Sequence, residues 1–456
     1  MSEQRTDQPN ERPTLPTDAS RRGFMLATAA GLAGAGAFLS ACESSGSQRV
    51  SAGTFGPAPR AMPRTPVSPN EPVRMAVIGT GGMGTGHCEA FASLTEQGKM
   101  NAQVVAIADV CQPRLDSCLS KLREKQPGVD VQAATDYREL LARRDIHAVL
   151  IASTEHWHEK HATDALLAGK DVYLEKPMTL HLDEALRLRR LVLANPDLRL
   201  QVGTQMTNLP KYHAARKLIA EDAIGRVVSS QTSYCRNSID GEWNYYALDP
   251  AWKPGVNLDW EAWCGPAGAA TWDPFVYARW RRYRKYSTGI LGDLLVHVVT
   301  PMLVALEPGW PTRVIASGGH YVDKAMENHD QVNINVEFES GQTMVLSGST
   351  CNEVGLETMI RGHKGNIYLG GRNCVVRPER IFADDLDEQT VECPDIGNDQ
   401  DLHRMKFIEC VRTRAQPDSD VEQGAKVMVM VDLATRSMWD GGAYAFDPAT
   451  MTARRL

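Results

Sequence analysis

Six consecutive residues, Gly79-Thr80-Gly81-Gly82-Met83-Gly84, place glycine at the first, third and sixth positions. In that spacing the first glycine permits a tight turn, the second lets main chain approach a pyrophosphate, and the third lets a helix pack on a strand. A helix opening here turns free N–H groups towards the anion. Gly79, Gly81, Gly82, Met83 and Gly84 are therefore candidate cofactor contacts. Asp109 stands 25 residues beyond Gly84 and is suited to accept the hydroxyls of an adenosine ribose. Its carboxylate repels a 2′-phosphate, which favours NAD while leaving NADP open. A second group, Ser153, Thr154, His158, Glu175 and Lys176, falls within a few residues of the ends of short apolar runs.

A frame must bring these groups together. Val73–Ile78 (VRMAVI) reads as a buried strand leading into the glycines, and Ala102–Val110 (AQVVAIADV) reads as the next, ending at Asp109. Asp145–Thr154 and DVYLEKP (Asp171–Pro177) continue the series, with helical stretches between. Such alternation builds a doubly wound parallel sheet, with ligands at the carboxyl ends of its strands. Beyond Met206 the pattern changes. Arg226–Cys235, Gln331–Thr350, Gly365–Gly371 and Asn373–Pro378 read as strands, and 401–413 and 422–440 as helices. Between them, Trp243 to Tyr286 holds six of the nine tryptophans. Most suit a core, and one or two could stack on a sugar. Arg279, Arg281, Arg282 and Arg284 read as a solvated or interface face in preference to an anionic-substrate site.

A chain of 456 residues with 43% hydrophobic residues can bury the cores of two domains or more. A net charge of −7 of mixed sign gives no basic footprint for nucleic acid. The ten cysteines form no CxxC and no metal-ligand cluster, so no metal and no disulfide framework is expected. Residues 1–42 read as a signal peptide. Ser20-Arg21-Arg22-Gly23-Phe24-Met25 fits the twin-arginine pattern, followed by a mild apolar run to Ala41. Leu39-Ser40-Ala41-Cys42 resembles a lipobox, which implies a lipid on Cys42 and a periplasmic membrane face. Residues 43–71, rich in Ser, Gly and Pro, suit an extended flexible tether. The rest divides into a nucleotide domain, 72–205, and a second domain, 206–456.

With Glu175-Lys176-Pro177 added, the series GTGGMG, AIADV, STEHWH, LEKPMT, VGTQ, LDWEAWCGPA, RWRRYRKYSTGILGDLLVHVV and IRGHKGNI resembles the Gfo/Idh/MocA oxidoreductases from about Val73 nearly to the end. The resemblance implies an α/β chain. It consists of an N-terminal Rossmann domain and a C-terminal α/β domain whose large, mostly antiparallel sheet covers the substrate cleft and often builds a homo-oligomer contact. It assigns Lys176 to the reacting hydroxyl beside the nicotinamide, and Asp293 and His297 to an acid/base pair. On one helix those two share a face, so the carboxylate would orient the imidazole. His156 and His158 become candidates near the nicotinamide. One departure is that relatives reading GTQRR carry basic residues where this chain has Met206, Thr207 and Asn208.

The implied activity is hydride removal from a carbohydrate or cyclitol. If the protein is exported, its NAD must travel bound and be regenerated within each cycle. Paired sugar oxidation and reduction, as in the glucose-fructose oxidoreductase branch, satisfies that requirement, and so does redox-neutral glycoside cleavage. A surface lipoprotein that only binds a ligand is the third expectation.

Overall fold

The computed structural model describes residues 56–456; the paired arginines and Cys42 lie outside the described residues. Six strands, β1 (Val73–Ile78), β2 (Ala102–Ala108), β3 (Gln132–Ala134), β4 (Ala148–Ile151), β5 (Asp171–Leu174) and β6 (Leu200–Val202), form a wholly parallel sheet in the order β3-β2-β1-β4-β5-β6. The strands are near-continuous apolar runs because both faces are covered. Helices α1 (Gly82–Glu96), α2 (Gln112–Lys125), α3 (Tyr137–Leu141), α4 (His158–Leu167) and α5 (Leu182–Ala194) make the crossovers. The order reverses between β1 and β4, so the carboxyl ends of those strands flank the crevice where ligands bind.

Helix α6 (Pro210–Ala220) leads into the second domain. Its ten strands are β7 (Val227–Cys235), β8 (Pro311–Gly319), β9 (Gln331–Phe338), β10 (Thr343–Ser349), β11 (Met359–Gly362), β12 (Gly365–Tyr368), β13 (Cys374–Pro378), β14 (Gln389–Val391), β15 (Ala443–Asp447) and β16 (Thr452–Arg455). They lie in the order β14-β13-β12-β11-β7-β10-β9-β8-β15-β16, antiparallel except for the β7–β10 pair. Val332, Ile334, Val336 and Phe338 of β9 point inward while Asn333, Asn335 and Glu337 face solvent, the period-two signature of a half-covered sheet. The inner face is covered by α9 (Val296–Leu306) and α11 (Val421–Asp440). Two short helices, α7 (Trp260–Cys264) and α8 (Pro274–Ala278), stand in the aromatic segment.

The chain's two sequence halves are not two separate cores. On α10 (Asp399–Thr413), Phe407, Ile408 and Val411 are buried with Met75, Phe91, Ile107 and Leu115 of the nucleotide-binding half. Just past its end, the Arg414 guanidinium forks onto both oxygens of Asp171 at 2.6 and 2.8 Å. The expected free tether also differs. Met62 N–H donates to Leu167 O (2.9 Å) and Arg60 Nη1 to Ala194 O (2.9 Å), the last carbonyls of α4 and α5. Ala61 N–H is taken by Asn195 Oδ1, and Thr65 Oγ1 donates to Arg144 O. Helix C-termini leave carbonyls without intrahelical partners, and an extended Pro-rich segment supplies donors to them.

Candidate functional site

The glycine turn is held by contact as well as by flexibility. Gly79 has φ +89°, and a Cβ there would sit 2.7 Å from the Ala152 carbonyl carbon. A Cβ on Gly84 would lie 1.8 Å from Gly79 O, which seats α1 directly on the turn. Helix α1 starts at Gly82 after an N-cap without side-chain hydrogen bond, so its first N–H groups are left for an anion. A Cβ on Gly82 would meet nothing within 4 Å, and Met83 is half exposed, leaving open space above the turn. Asp109 Oδ2 takes the Thr80 N–H (2.7 Å) and hydroxyl (3.2 Å), and Oδ1 takes the Cys111 N–H (2.9 Å), fixing the carboxylate beside the glycines. Open helix N-terminus, glycine cradle and fixed acid together fit a dinucleotide.

Sequence reasoning missed Arg114. Its Nη1 would lie 2.9 Å from a Cβ on Gly81, and its guanidinium stacks on the rings of Trp252 (5.1 Å) and Tyr277 (4.8 Å). No local signal marks it, because those rings come from far along the chain. The same aromatic segment is tied to the Asp109 turn: Asp259 N–H donates to Val110 O (3.0 Å) and Gln112 N–H to Asn257 O (2.8 Å). Trp260, Trp263 and Trp272 pack together behind this clasp, as expected of core tryptophans.

At the carboxyl end of β4, the side chains of the STEHWH stretch mostly turn inward. Ser153 Oγ meets His161 Nδ1 (3.0 Å), and Thr154 opens a 3-10 turn without capping it. His156 is spent on Trp263 O (2.9 Å), and burial holds its imidazole down to about 4. His158 lies between Pro177 O (2.7 Å) and Ser153 O (3.0 Å), fully buried. Both histidines therefore brace main chain, His158 through both ring nitrogens and His156 through Nε2 alone, its Nδ1 being buried without a partner. Glu155, not singled out from sequence, is buried and accepts from Ser287 Oγ (2.6 Å), Thr288 N–H (2.9 Å) and Thr288 Oγ1 (3.2 Å). Burial, and then the charge of Asp293, raise its carboxyl to about 7.

At the end of β5, Glu175 Oε1 accepts from His87 Nε2 (2.9 Å), whose Nδ1 accepts from Arg404 Nε (2.9 Å). Arg404 thereby fixes the His87 tautomer. Burial opposes ionisation of Glu175, but His87 and the Lys176 charge outweigh it and hold the carboxyl near 2. Next to it, Lys176 Nζ donates to Asp293 Oδ1 and to Asp293 O, both at 2.7 Å. The peptide bond between Lys176 and Pro177 is cis. The same Oδ1 takes Arg281 Nε at 2.8 Å. Burial works against the Asp293 carboxylate, yet Arg281 and Lys176 hold it well below the usual range.

The expected Asp293–His297 pairing is not formed. Asp293 lies in a π-helical turn, Ile290–Leu295, and His297 in α9, so the four-residue spacing does not carry its usual α-helical geometry. The turn starts at Gly289 (φ +60°), and Gly292 is pressed against Pro177: a Cβ there would sit 2.9 Å from Pro177 Cγ and 2.0 Å from Thr288 Oγ1. Wider winding thus swings Asp293 onto Lys176. His297 Nδ1 is buried without a partner, and burial together with the Lys176 charge lowers its imidazole to about 3. The site accordingly offers a neutral imidazole, an ammonium fixed on a carboxylate, and a second cation on the same oxygen. That set can accept a proton and hold a developing alkoxide.

A model of an oxidoreductase family's NAD-binding Rossmann fold matches residues 73–204, and one of that family's C-terminal alpha/beta domain matches residues 216–446. An inositol 2-dehydrogenase of Pseudomonas savastanoi pv. phaseolicola is 30% identical over 173 residues, 38% of this chain and 48% of that protein. An alpha-N-acetylgalactosaminidase of Shewanella oneidensis is 34% identical over 117 residues, 25% of this chain and 24% of that protein. The chain thus spans about half the length, or less, of the curated relatives it matches. Among solved structures, levoglucosan dehydrogenase in complex with NADH and L-sorbose matches with a TM-score of 0.63 at 19% identity, covering 82% of this chain and 98% of that one. The WlbA dehydrogenase of Bordetella pertussis, in complex with NADH and UDP-GlcNAcA, matches at 0.60 and 19%, over 82% and 98%. At these identities the likeness is one of fold.

Proposed function

Because the chain belongs to the Gfo/Idh/MocA oxidoreductases and carries their NAD-binding domain, we propose that it oxidises a carbinol of a carbohydrate or cyclitol and keeps its NAD bound. The observation that carries this reading is Lys176 held on Asp293 beside a neutral His297, at the strand ends facing the glycine turn. NAD, when bound, supplies the hydride acceptor. His297 takes the hydroxyl proton at Nε2, the ring nitrogen left for the cleft. Lys176 donates a hydrogen bond to the carbinol oxygen and stabilises its developing charge. Glu175 is kept ionised and Glu155 partly protonated, so the lysine meets one firm negative neighbour besides Asp293. Gly79, Gly81, Gly82, Met83, Gly84, Asp109, Ser153 and Thr154 would hold the dinucleotide, with Arg114 beside Gly81. The clasp of Asn257 and Asp259 on the Asp109 turn supports retention.

A redox-neutral glycosidase is the second reading, favoured by the match to the alpha-N-acetylgalactosaminidase. Cleavage of a glycoside without added acceptor supports it, whereas product oxidation that needs an added carbonyl acceptor supports coupled sugar oxidation and reduction. We further propose that the protein is exported folded by the twin-arginine route, anchored through Cys42 and assembled as a homo-oligomer. Mass spectrometry of nucleotide released on denaturing the purified protein tests the central reading. The expected species is NAD, and a protein that releases no dinucleotide and binds none overturns it. Turnover unchanged by Lys176→Ala would instead leave a ligand-binding lipoprotein.

A further inference from the structure

Four arginines between 279 and 284 are sorted by the structure. Arg279 Nη1 bonds Asn244 Oδ1 (2.6 Å) and its Nε bonds Tyr246 O (3.0 Å). Arg282 is buried and forks onto Asp323 at 2.6 and 2.9 Å. Arg284 stacks 3.7 Å from the Trp439 ring centre. Arg281 alone joins the reacting cluster, through its Nε on Asp293 Oδ1. Its guanidinium lies over the Trp280 ring at 4.2 Å, and its side chain keeps 21% exposure. Among the described residues its two Nη nitrogens have no hydrogen-bond partner.

Two consequences follow from this placement. Lys176 and Arg281 share one carboxylate oxygen, and the ionised Glu175 is a second negative charge beside Lys176. The other nearby carboxylates are hydrogen-bonded elsewhere than to the Arg281 Nη nitrogens: Glu155 with Ser287 and Thr288, Glu175 with His87, and Glu242 with Arg236, Ser238 and Tyr245. The Nη edge of Arg281 is therefore left without a carboxylate, and its planar pair of donors matches one in two parallel bonds. Two donors on one oxygen also cannot stand further apart than the width of a pyranose ring. A sugar whose carbinol lies at Lys176 can thus bring a carboxylate on the far side of its ring to Arg281.

We infer that the substrate is an acidic sugar, a hexuronic acid or a glycoside of one, whose carboxylate rests on the Nη edge of Arg281 while its carbinol faces Lys176 and His297. This rests on the sugar-oxidoreductase reading above and names its substrate class. The test pairs sugars that differ only at C6, D-glucuronate with D-glucose and D-galacturonate with D-galactose, titrated calorimetrically into the holoprotein. At least one acid should bind about tenfold to a hundredfold more tightly than its neutral partner, the range of a charge-assisted pair. Arg281→Gln should bring that ratio close to one, and Arg281→Lys, which keeps the charge without the fork, should leave an intermediate ratio. The ratio isolates recognition, because any loss of Asp293 support affects both sugars. Equal binding of acid and neutral partner, no binding of either acid, or an unchanged ratio in Arg281→Gln overturns the assignment. If Arg281→Gln does not fold, the wild-type ratio and Arg281→Lys decide it. Binding is read independently of turnover, so acid preference in a protein without dinucleotide would sink the oxidoreductase reading and leave the Arg281 assignment standing.

Discussion

The sequence motifs single out Lys176, Asp293 and His297, but not the contacts these residues make. Sequence spacing points Asp293 at His297; the π-helical turn gives it to Lys176 and Arg281. The sequence does not announce that winding, since Gly292 is pressed not only by nearby Thr288 but by Pro177 from far along the chain. The division of labour is testable. Lys176→Met and His297→Ala should each lower the rate of NADH formation by about 10²- to 10⁴-fold, the usual worth of a positioned proton-transfer group. His297→Ala should do so while leaving NAD affinity nearly unchanged, as read by fluorescence titration. Two buried groups set the pH dependence of stability in opposite senses. His297 falls from 6.5 to about 3 on burial, so the unfolded chain binds more protons and stability is lost as pH drops below 6.5. Glu155 rises from 4.5 to about 7, so stability is lost as pH climbs through that window. Glu155→Gln, whose amide oxygen can accept from Thr288 while its NH2 donates to a reoriented Ser287 hydroxyl, should flatten the alkaline loss. Thermal denaturation of both proteins at pH 5 and pH 8 checks it, and an equal difference between them at the two pH values would refute it.

Elements were easier to foresee than residue partnerships. Strand β1 runs Val73–Ile78 as its apolar run indicates, and the hairpin of β9 and β10 follows from strict alternation around Gly341. Strands β15 and β16 were not foreseen, because AYAFD and TARR are too short and mixed to show a period. The glycine turn yields a prediction in which packing and binding separate. Gly84→Ala drives a methyl into Gly79 O and should cost at least about 1–3 kcal/mol, seen as a lower midpoint in thermal melts. Gly82→Ala, with nothing within 4 Å, should keep the melting midpoint and weaken only NAD binding. A melt of Gly84→Ala superimposed on wild type would show that the turn is not braced as described.

On the scale of the molecule, motifs and the resemblance pointed to an α/β fold with a parallel sheet followed by a mostly antiparallel one, and the two sheets agree. Long-range stitching was invisible, because Arg114 meets Trp252 and Tyr277 only in space. If that clasp retains the cofactor, Trp252→Ala should speed dinucleotide exchange about tenfold or more, since removing a stacked guanidinium contact is worth roughly 1–2 kcal/mol. Exchange against isotopically labelled NAD measures it, and an unaltered rate would remove the clasp from the account. The helix α10 has a different consequence, one of timing. Phe407, Ile408 and Val411 complete the hydrophobic packing around Phe91 and Ile107. A ribosome makes the glycine turn long before this helix. The core beneath the glycine turn therefore stays incomplete until α10 has been made, long after the strands it packs on.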